Sequence, residues 1–205
     1  MSDNAEQRGL ISALEIIASE APENGLSLGE FVDALGERAF GIILFAMALP
    51  VSIPFLYGVP QIMSLPMMAL AAQMAMGRDE PWLPSQFKSR NLGKASLVSM
   101  ARGGRKWFGW LEALSRPRLH FLSGPSMERV IGVIFLAFCA SIMLPLPLTN
   151  SIPGIALAIA ALGLLSRDGL LILGGLIMGL IWITLLFVFG AALIDVIKGL
   201  LTSAL

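Results

Sequence analysis

From Ala39 to Gly77 the chain carries no Asp, Glu, Lys or Arg, yet Pro50, Pro54, Pro60 and Pro66 fall inside that run. The two properties pull against each other. An uncharged run of this length belongs at membrane depth, where one crossing takes about 20 helical residues at about 1.5 Å each. A proline removes a helical hydrogen bond and disfavours helix at the residue before it. One continuous helix is therefore a poor solution. Two short apolar helices joined by the proline-rich turn within "LPVSIPFLYGVPQIMSLP" satisfy both constraints. Val130 to Ser166 repeats the arrangement and is interrupted at "LPLPLTNSIPG", whereas Gly169 to Ile194 is unbroken and fits one crossing. Halves of about 14–18 residues only marginally reach across. Each broken run is expected to be a hairpin, re-entrant or fully spanning.

Composition points the same way. A chain that is 56% hydrophobic and 14% charged, with a mean hydropathy of +0.80, lies outside the range of soluble domains. The expected class is an all-α integral membrane protein. Unsatisfied backbone groups cost several kcal/mol each in lipid, so broken helices need cover from protein or a water-filled cavity. The two tips are expected to shelter against each other and line a polar pocket.

The hairpins also look duplicated. Glu37-Arg38, Gly41 and Ile53-Pro54 recur at a constant spacing as Glu128-Arg129, Gly132 and Leu144-Pro145, and Arg78-Asp79 recurs as Arg167-Asp168. Internal repeats built on proline-broken helices point to a transporter-type site near the repeat interface, although purely structural bundles also duplicate.

Five segments follow: an acidic helical segment (1–36), the first repeat (37–79), a basic linker (80–127), the second repeat (128–168), and a C-terminal transmembrane helix and tail (169–205). Before Arg38 the charges are acidic except for Arg8, while the linker holds Lys88, Arg90, Lys94, Arg102, Arg105, Lys106, Arg116 and Arg118. By the positive-inside rule the linker and the N-terminus are expected to be cytoplasmic. "SLGEFVDALGERAF" opens with a capping-box pattern, Ser27 to Glu30. Short cytoplasmic amphipathic helices are expected there and over "RGLISALEIIASEA", with an interfacial one around Trp107, Phe108, Trp110 and Leu111. The polar N-terminus lacks the basic and apolar parts of a cleaved signal, so a retained first segment is expected.

The stretch "SLGEFVDALGERAFGIILFAMALPVSIPFLYGVPQIMSLPMMALAAQMAMGRDEPWLP", residues 27–84, resembles the ExoD family of bacterial inner-membrane proteins. The resemblance rests on Gly36-Glu37-Arg38-Ala39-Phe40-Gly41, the Leu49-Pro50 kink, Gly77-Arg78 and Pro81-Trp82-Leu83-Pro84. It implies a place in the bacterial inner membrane and a connection to exopolysaccharide production. It implies no particular reaction and no catalytic residues.

No enzyme constellation is visible. His120 is the sole histidine and Cys139 the sole cysteine, which leaves no multi-histidine metal site, thiolate cluster or intrachain disulfide. No catalytic residue, metal or cofactor is expected. The linker's cations are expected to meet anionic lipid headgroups rather than nucleic acid. The sharper candidates are the ionic pairs Glu37-Arg38, Glu128-Arg129, Arg78-Asp79 and Arg167-Asp168 at the hairpin ends. Arginine's planar fork suits a lipid phosphate, but Arg at helix ends also snorkels and caps. Ser52, Gln61 and Asn150, with Ser64, Gln73, Ser141, Thr149 and Ser151, are the polar groups expected at or near the tips. They either hydrogen-bond a headgroup or satisfy the broken backbone.

Three functions stay open. The first is binding or translocation of an anionic, polyprenyl-phosphate-like lipid. The second is a structural or regulatory subunit that docks on polysaccharide synthesis proteins. The third is an ion or proton-coupled transporter. Gly175 and Gly179 have a small-xxx-small spacing that suits a close helix contact, within the chain or in a homo-oligomer.

Overall fold

The computed structural model describes residues 10–36, 38–56, 58–114, 122, 124–144 and 150–203. It is mainly helical. In chain order the elements are α1 (Leu10–Glu20), β1 (Leu26–Ser27), α2 (Leu28–Leu35), α3 (Arg38–Val51), α4 (Val59–Ala75) and α5 (Ser85–Lys88). There follow β2 (Asn91–Leu92), α6 (Lys94–Leu114), α7 (Pro125–Met143), α8 (Ser151–Ser166) and α9 (Gly169–Ser203). The segments Ser126–Met143 of α7 and Gly169–Ala192 of α9 are long and apolar enough to cross a membrane. A third span results if α2 and α3, which meet at 117°, count as one broken helix.

Most of the prolines among the described residues lie at or between helix ends. Pro50 sits in the last turn of α3, where the Ser52 N–H and hydroxyl both bond the Ala48 carbonyl, at 2.9 and 2.8 Å. The chain then turns through Phe55 (φ 66°) and Gly58 (φ 80°). Pro60 lies in the first turn of α4 and Pro153 in that of α8, positions where the missing N–H has no intrahelical partner to lose. Among the described residues, only Pro66 stands well inside a helix.

The hairpins exchange partners. α3 packs against α8 and α4 against α7, each pair more extensively than α3 touches α4 or α7 touches α8. Small residues set these contacts. A Cβ on Gly41 would lie 3.1 Å from the Ala161 carbonyl oxygen and 3.2 Å from the Leu165 nitrogen. A Cβ on Gly132 would lie 2.8 Å from the Ala71 oxygen and 2.5 Å from the Ala75 nitrogen. The apolar core runs through both pairs and contains Leu44, Met67, Met74, Ile131, Phe135, Phe138, Ile142 and Leu157. The Phe135 and Phe138 rings stand 6.2 Å apart.

α9 covers α8. A Cβ on Gly175 would lie 2.5 Å from the Ala156 oxygen and 2.6 Å from the Ala160 nitrogen. Counting equally from that contact along the two antiparallel helices, the start of α8 at Ser151 is level with Trp182. That level is about 20 Å along α9 from Gly169, at about 1.5 Å per residue. α9 runs on past it to Ser203.

A second cluster gathers α1, α2 and α6 around Ala18, Phe31, Val32, Leu35, Leu97 and Ala101, with Ala39 of α3 at its edge. The acidic first segment and the basic linker therefore share a core. Arg105 and Glu15 pair across it at 2.9 Å, while β1 and β2 join antiparallel, Leu26 opposite Leu92. Arg102, Arg105 and Lys106 occupy the exposed face of α6. The expected capping box is present: Glu30 N–H bonds the Ser27 hydroxyl oxygen at 3.2 Å, and Ser27 N–H bonds the Glu30 carboxylate at 2.8 Å. These bonds hold the Glu30 carboxyl below its ordinary pKa.

Candidate functional site

Antiparallel register sorts the candidates into two groups. Gly132 near the start of α7 lies beside the end of α4, and Gly41 near the start of α3 beside the end of α8. Arg38, Arg129, Glu128, Arg78, Asp79, Arg167 and Asp168 therefore gather at one end of the bundle, called here the base. Ser52, Gln61 and Asn150 lie at the other, the tip. α3 spans 14 residues between the groups, which separates them by about 20 Å. Glu37, Thr149 and His120 lie outside the described residues.

At the base, the guanidinium of Arg129 lies over Gly77, so close that a Cβ there would collide with it. A cation at the C-terminus of α4 is favoured by the exposed carbonyls and the helix dipole. Arg129, Arg78 and Asp79 are solvent-exposed, and Arg38 and Glu128 are half-buried. Asp168 is buried, and its carboxylate accepts the Leu170 N–H at 3.0 Å, capping α9. Arg167 precedes it in the left-handed region, φ 51°. Asp168 thus has a structural task whatever else it does.

At the tip the end of α3 meets the start of α8. A Cβ on Gly154 would lie 2.9 Å from Val51 Cγ1 and 3.1 Å from the Ser52 nitrogen, so the start of α8 rests on the end of α3. Some polar groups here serve the backbone: Ser52 bonds Ala48, and the Ser64 hydroxyl donates to the Gln61 carbonyl at 2.7 Å. Three others are buried without partners, namely Gln61 Oε1, Ser141 Oγ and Trp182 Nε1. Gln73 does not belong to the tip. Its side-chain amide bonds the Trp82 backbone near the base, where α4 ends and the chain leaves through Pro81. Trp182 escaped sequence reasoning because it sits in a uniformly apolar run. The available signal was that it and Thr184 are the only side chains with polar N or O atoms between Gly169 and Ile194.

A groove of about 350 Å³ opens at the tip level between the start of α8 and the middle of α9, with Trp182 in its wall. Among the described residues no group of three or more His, Cys, Asp or Glu is placed to hold a metal ion. The arrangement offers fixed cations at one end and neutral hydrogen-bonding groups in an apolar setting at the other. Guanidinium groups can pair with an anionic group at the first, and the neutral groups can hydrogen-bond at the second.

No solved structure matches the chain significantly. Protein ExoD of Rhizobium meliloti (strain 1021) is 32% identical over 174 residues, covering 82% of this chain and 72% of that protein. An uncharacterized protein of Synechocystis sp. (strain ATCC 27184 / PCC 6803 / Kazusa), slr1875, is 27% identical over 184 residues, covering 84% of this chain and 86% of that protein. The family model described as "Exopolysaccharide synthesis, ExoD" matches residues 10–188, which takes in both hairpins and α9 through the groove. The chain therefore belongs to the ExoD family, which is linked to exopolysaccharide synthesis.

Proposed function

We propose that this protein is a multi-pass component of the bacterial inner membrane that binds an anionic, polyprenyl-phosphate-like lipid used in exopolysaccharide synthesis and moves its head between base and tip. The observation that carries the reading is the exchange of partners between the hairpins. Gly41 on Ala161 and Leu165, and Gly132 on Ala71 and Ala75, are the same contact made twice at matching intervals along the chain. That relation is what a pseudo-two-fold pair of repeats produces.

Depth supports a re-entrant form of the first hairpin, since α3 reaches only about 20 Å from the base against about 30 Å of hydrocarbon. α7 is long enough to cross by itself. The base, with the α1–α2–α6 unit beside it, is assigned to the cytoplasmic face because the exposed cations of Lys88, Arg90, Arg102 and Lys106 belong to this unit or its connection. Arg38, Arg78, Arg129 and Arg167 would meet the phosphate first. The polar tip would receive it within the bilayer, with no covalent step.

The test uses full-length protein in nanodiscs and farnesyl phosphate as the probe. Saturable binding that falls at least tenfold in Arg38→Gln/Arg129→Gln, with folding intact, is the expected result. Absent binding, or binding indifferent to both arginines, would sink the proposal. The rival reading is a scaffold, favoured by the separate apolar cluster that joins α1, α2 and α6. It predicts that the arginine pair is dispensable for polysaccharide production while Phe31→Ala is not. Movement of sodium ions or protons into protein-loaded liposomes without lipid phosphate would instead favour an ion transporter.

A further inference from the structure

We infer that the unit of α1, α2 and α6 lies against the headgroup layer beside the bundle, and that the chain from Trp82 to Arg90, together with Arg102, holds it there by contact with anionic phospholipid. The inference needs only that α7 and α9 cross the bilayer, and it stands apart from the lipid binding proposed above.

Three contacts set the depth of the unit. The chain bends by 117° between α2 and α3. Because the bend exceeds a right angle, α2 begins nearer the level of the tips than it ends. The apolar cluster of the unit extends to Ile42 and Ile43, about one turn along α3 from Arg38. The Gln73 side chain, still within α4, holds the Trp82 backbone through both its amide atoms. The unit therefore leans on the side of the bundle instead of hanging below the base. The apolar spans of α7 and α9 begin at Ser126 and Gly169, at this same end, so the unit stands where hydrocarbon gives way to headgroups.

The strip from Trp82 to Arg90 runs along α2. Leu83 packs on the apolar cluster of the unit. The Lys88 stem lies against Gly29, where a Cβ would sit 3.5 Å from the Lys88 Cβ. The Arg90 carbonyl accepts the Leu28 N–H at 2.7 Å. Held in this way, the strip leaves Trp82 and Phe87 56% and 50% exposed, with Lys88 and Arg90 exposed beside them. Aromatic rings and cations fixed together at the surface are unfavourable in water and at home in the bilayer interface.

Charge names the occupant. Between Pro81 and Leu111 the chain has Lys88, Arg90, Lys94, Arg102, Arg105 and Lys106 and no Asp or Glu. Glu15 engages Arg105, whereas Lys88, Arg90 and Arg102 are exposed. Asp79 and Glu80 come just before this stretch and are offset at the base by Arg78 and Arg129, all four exposed. Such cations attract an anionic leaflet over roughly a Debye length, about 8 Å. A soluble acidic protein could satisfy the cations, but it would have to enter the headgroup layer to reach Trp82.

The experiment uses full-length protein in nanodiscs of phosphatidylcholine and phosphatidylglycerol in equal parts. Trp107, Trp110 and Trp182 are replaced by Phe so that Trp82 alone reports. Its emission is quenched in turn by phosphatidylcholine brominated near the headgroup, by the same lipid brominated deep in its chains, and by aqueous iodide. Phospholipids retained by the protein are counted by native mass spectrometry. Shallow bromine is expected to quench at least about twofold more than deep bromine or iodide. Phosphatidylglycerol should be retained over phosphatidylcholine, and the excess should fall at least about threefold in Lys88→Gln/Arg90→Gln/Arg102→Gln. Quenching by iodide without quenching by lipid would place the strip in water and overturn the inference. Protection from both would mean that protein covers it, and would overturn the inference as well. Shallow quenching with phosphatidylglycerol retained equally by the charge variant would overturn the assignment of these cations to anionic lipid. No outcome depends on farnesyl phosphate, so the proposed function stands or falls by its own test.

Discussion

A single methyl group tests the contact between hairpins. At Gly132 it would fall 2.5 Å from the Ala75 nitrogen and 2.8 Å from the Ala71 oxygen, both backbone atoms that cannot step aside. Gly132→Ala should therefore destabilise by about 1–3 kcal/mol, Gly41→Ala by less, and Gly174→Ala hardly at all. Cys139 offers the readout: it is the single cysteine and is fully buried, so a maleimide dye should stay dark until the bundle opens. The capping box gives a pH test. Glu30 has a lowered pKa in the folded protein because Ser27 bonds its carboxylate. Its contribution is thus complete above the ordinary carboxylate value of 4.5 and disappears as the pH falls through the lowered one. Amide protection in the first turn of α2 should decline with acid in that window, and Ser27→Ala should flatten the decline. The box was legible in the sequence because its signal is local, four consecutive positions. Phe55 at positive φ was not, since an aromatic side chain gives no hint of a left-handed turn.

Helices follow from the sequence more readily than their partners do. Prolines and uncharged runs located α3, α4, α7, α8 and α9, because interruption and hydrophobicity are properties of the run itself. The exchange of partners was hidden, since α4, α8 and α9 are apolar on most faces and periodicity cannot say which face meets which neighbour. Gln73 misled for a related reason: a polar residue in an apolar run reads as a tip residue until its bond to Trp82 is seen. The union of α1 with α6 was equally silent, although the opposite charge of the two segments is what lets Glu15 and Arg105 pair within the chain. That pair is exposed, at 68% and 37% for the Arg105 and Glu15 side chains, so Arg105→Gln should cost less than about 1 kcal/mol. Phe31→Ala, in the cluster that joins α1, α2 and α6, should cost about 3–5 kcal/mol. Thermal unfolding of the two variants side by side would show whether apolar contact or charge holds this unit together.

On the scale of the whole molecule, the placement of the tips in the bilayer is the property on which the proposed function depends. With Cys139 replaced by Ser, cysteines at Phe55 and at Gly190 should behave differently toward an impermeant thiol reagent. Gly190, on the exposed stretch of α9 beyond the tips, should resist labelling from both sides. Phe55, 71% exposed at the tip, should react through a wet pocket from the linker side. Free labelling of Phe55 from the opposite side would make the hairpins fully spanning. The crossed pairing of hairpins also sets an order of assembly. α3 must wait for α8, which the ribosome delivers only after α4, the linker and α7. At about 5–20 residues per second that is a delay of several seconds to tens of seconds. During it the nascent first hairpin has open proline breaks and no shelter of its own, so an insertase or chaperone at the translocon would have to hold it. A chain ending before α7 should accordingly be degraded rather than accumulate, and each half expressed separately should survive only when the other is made beside it.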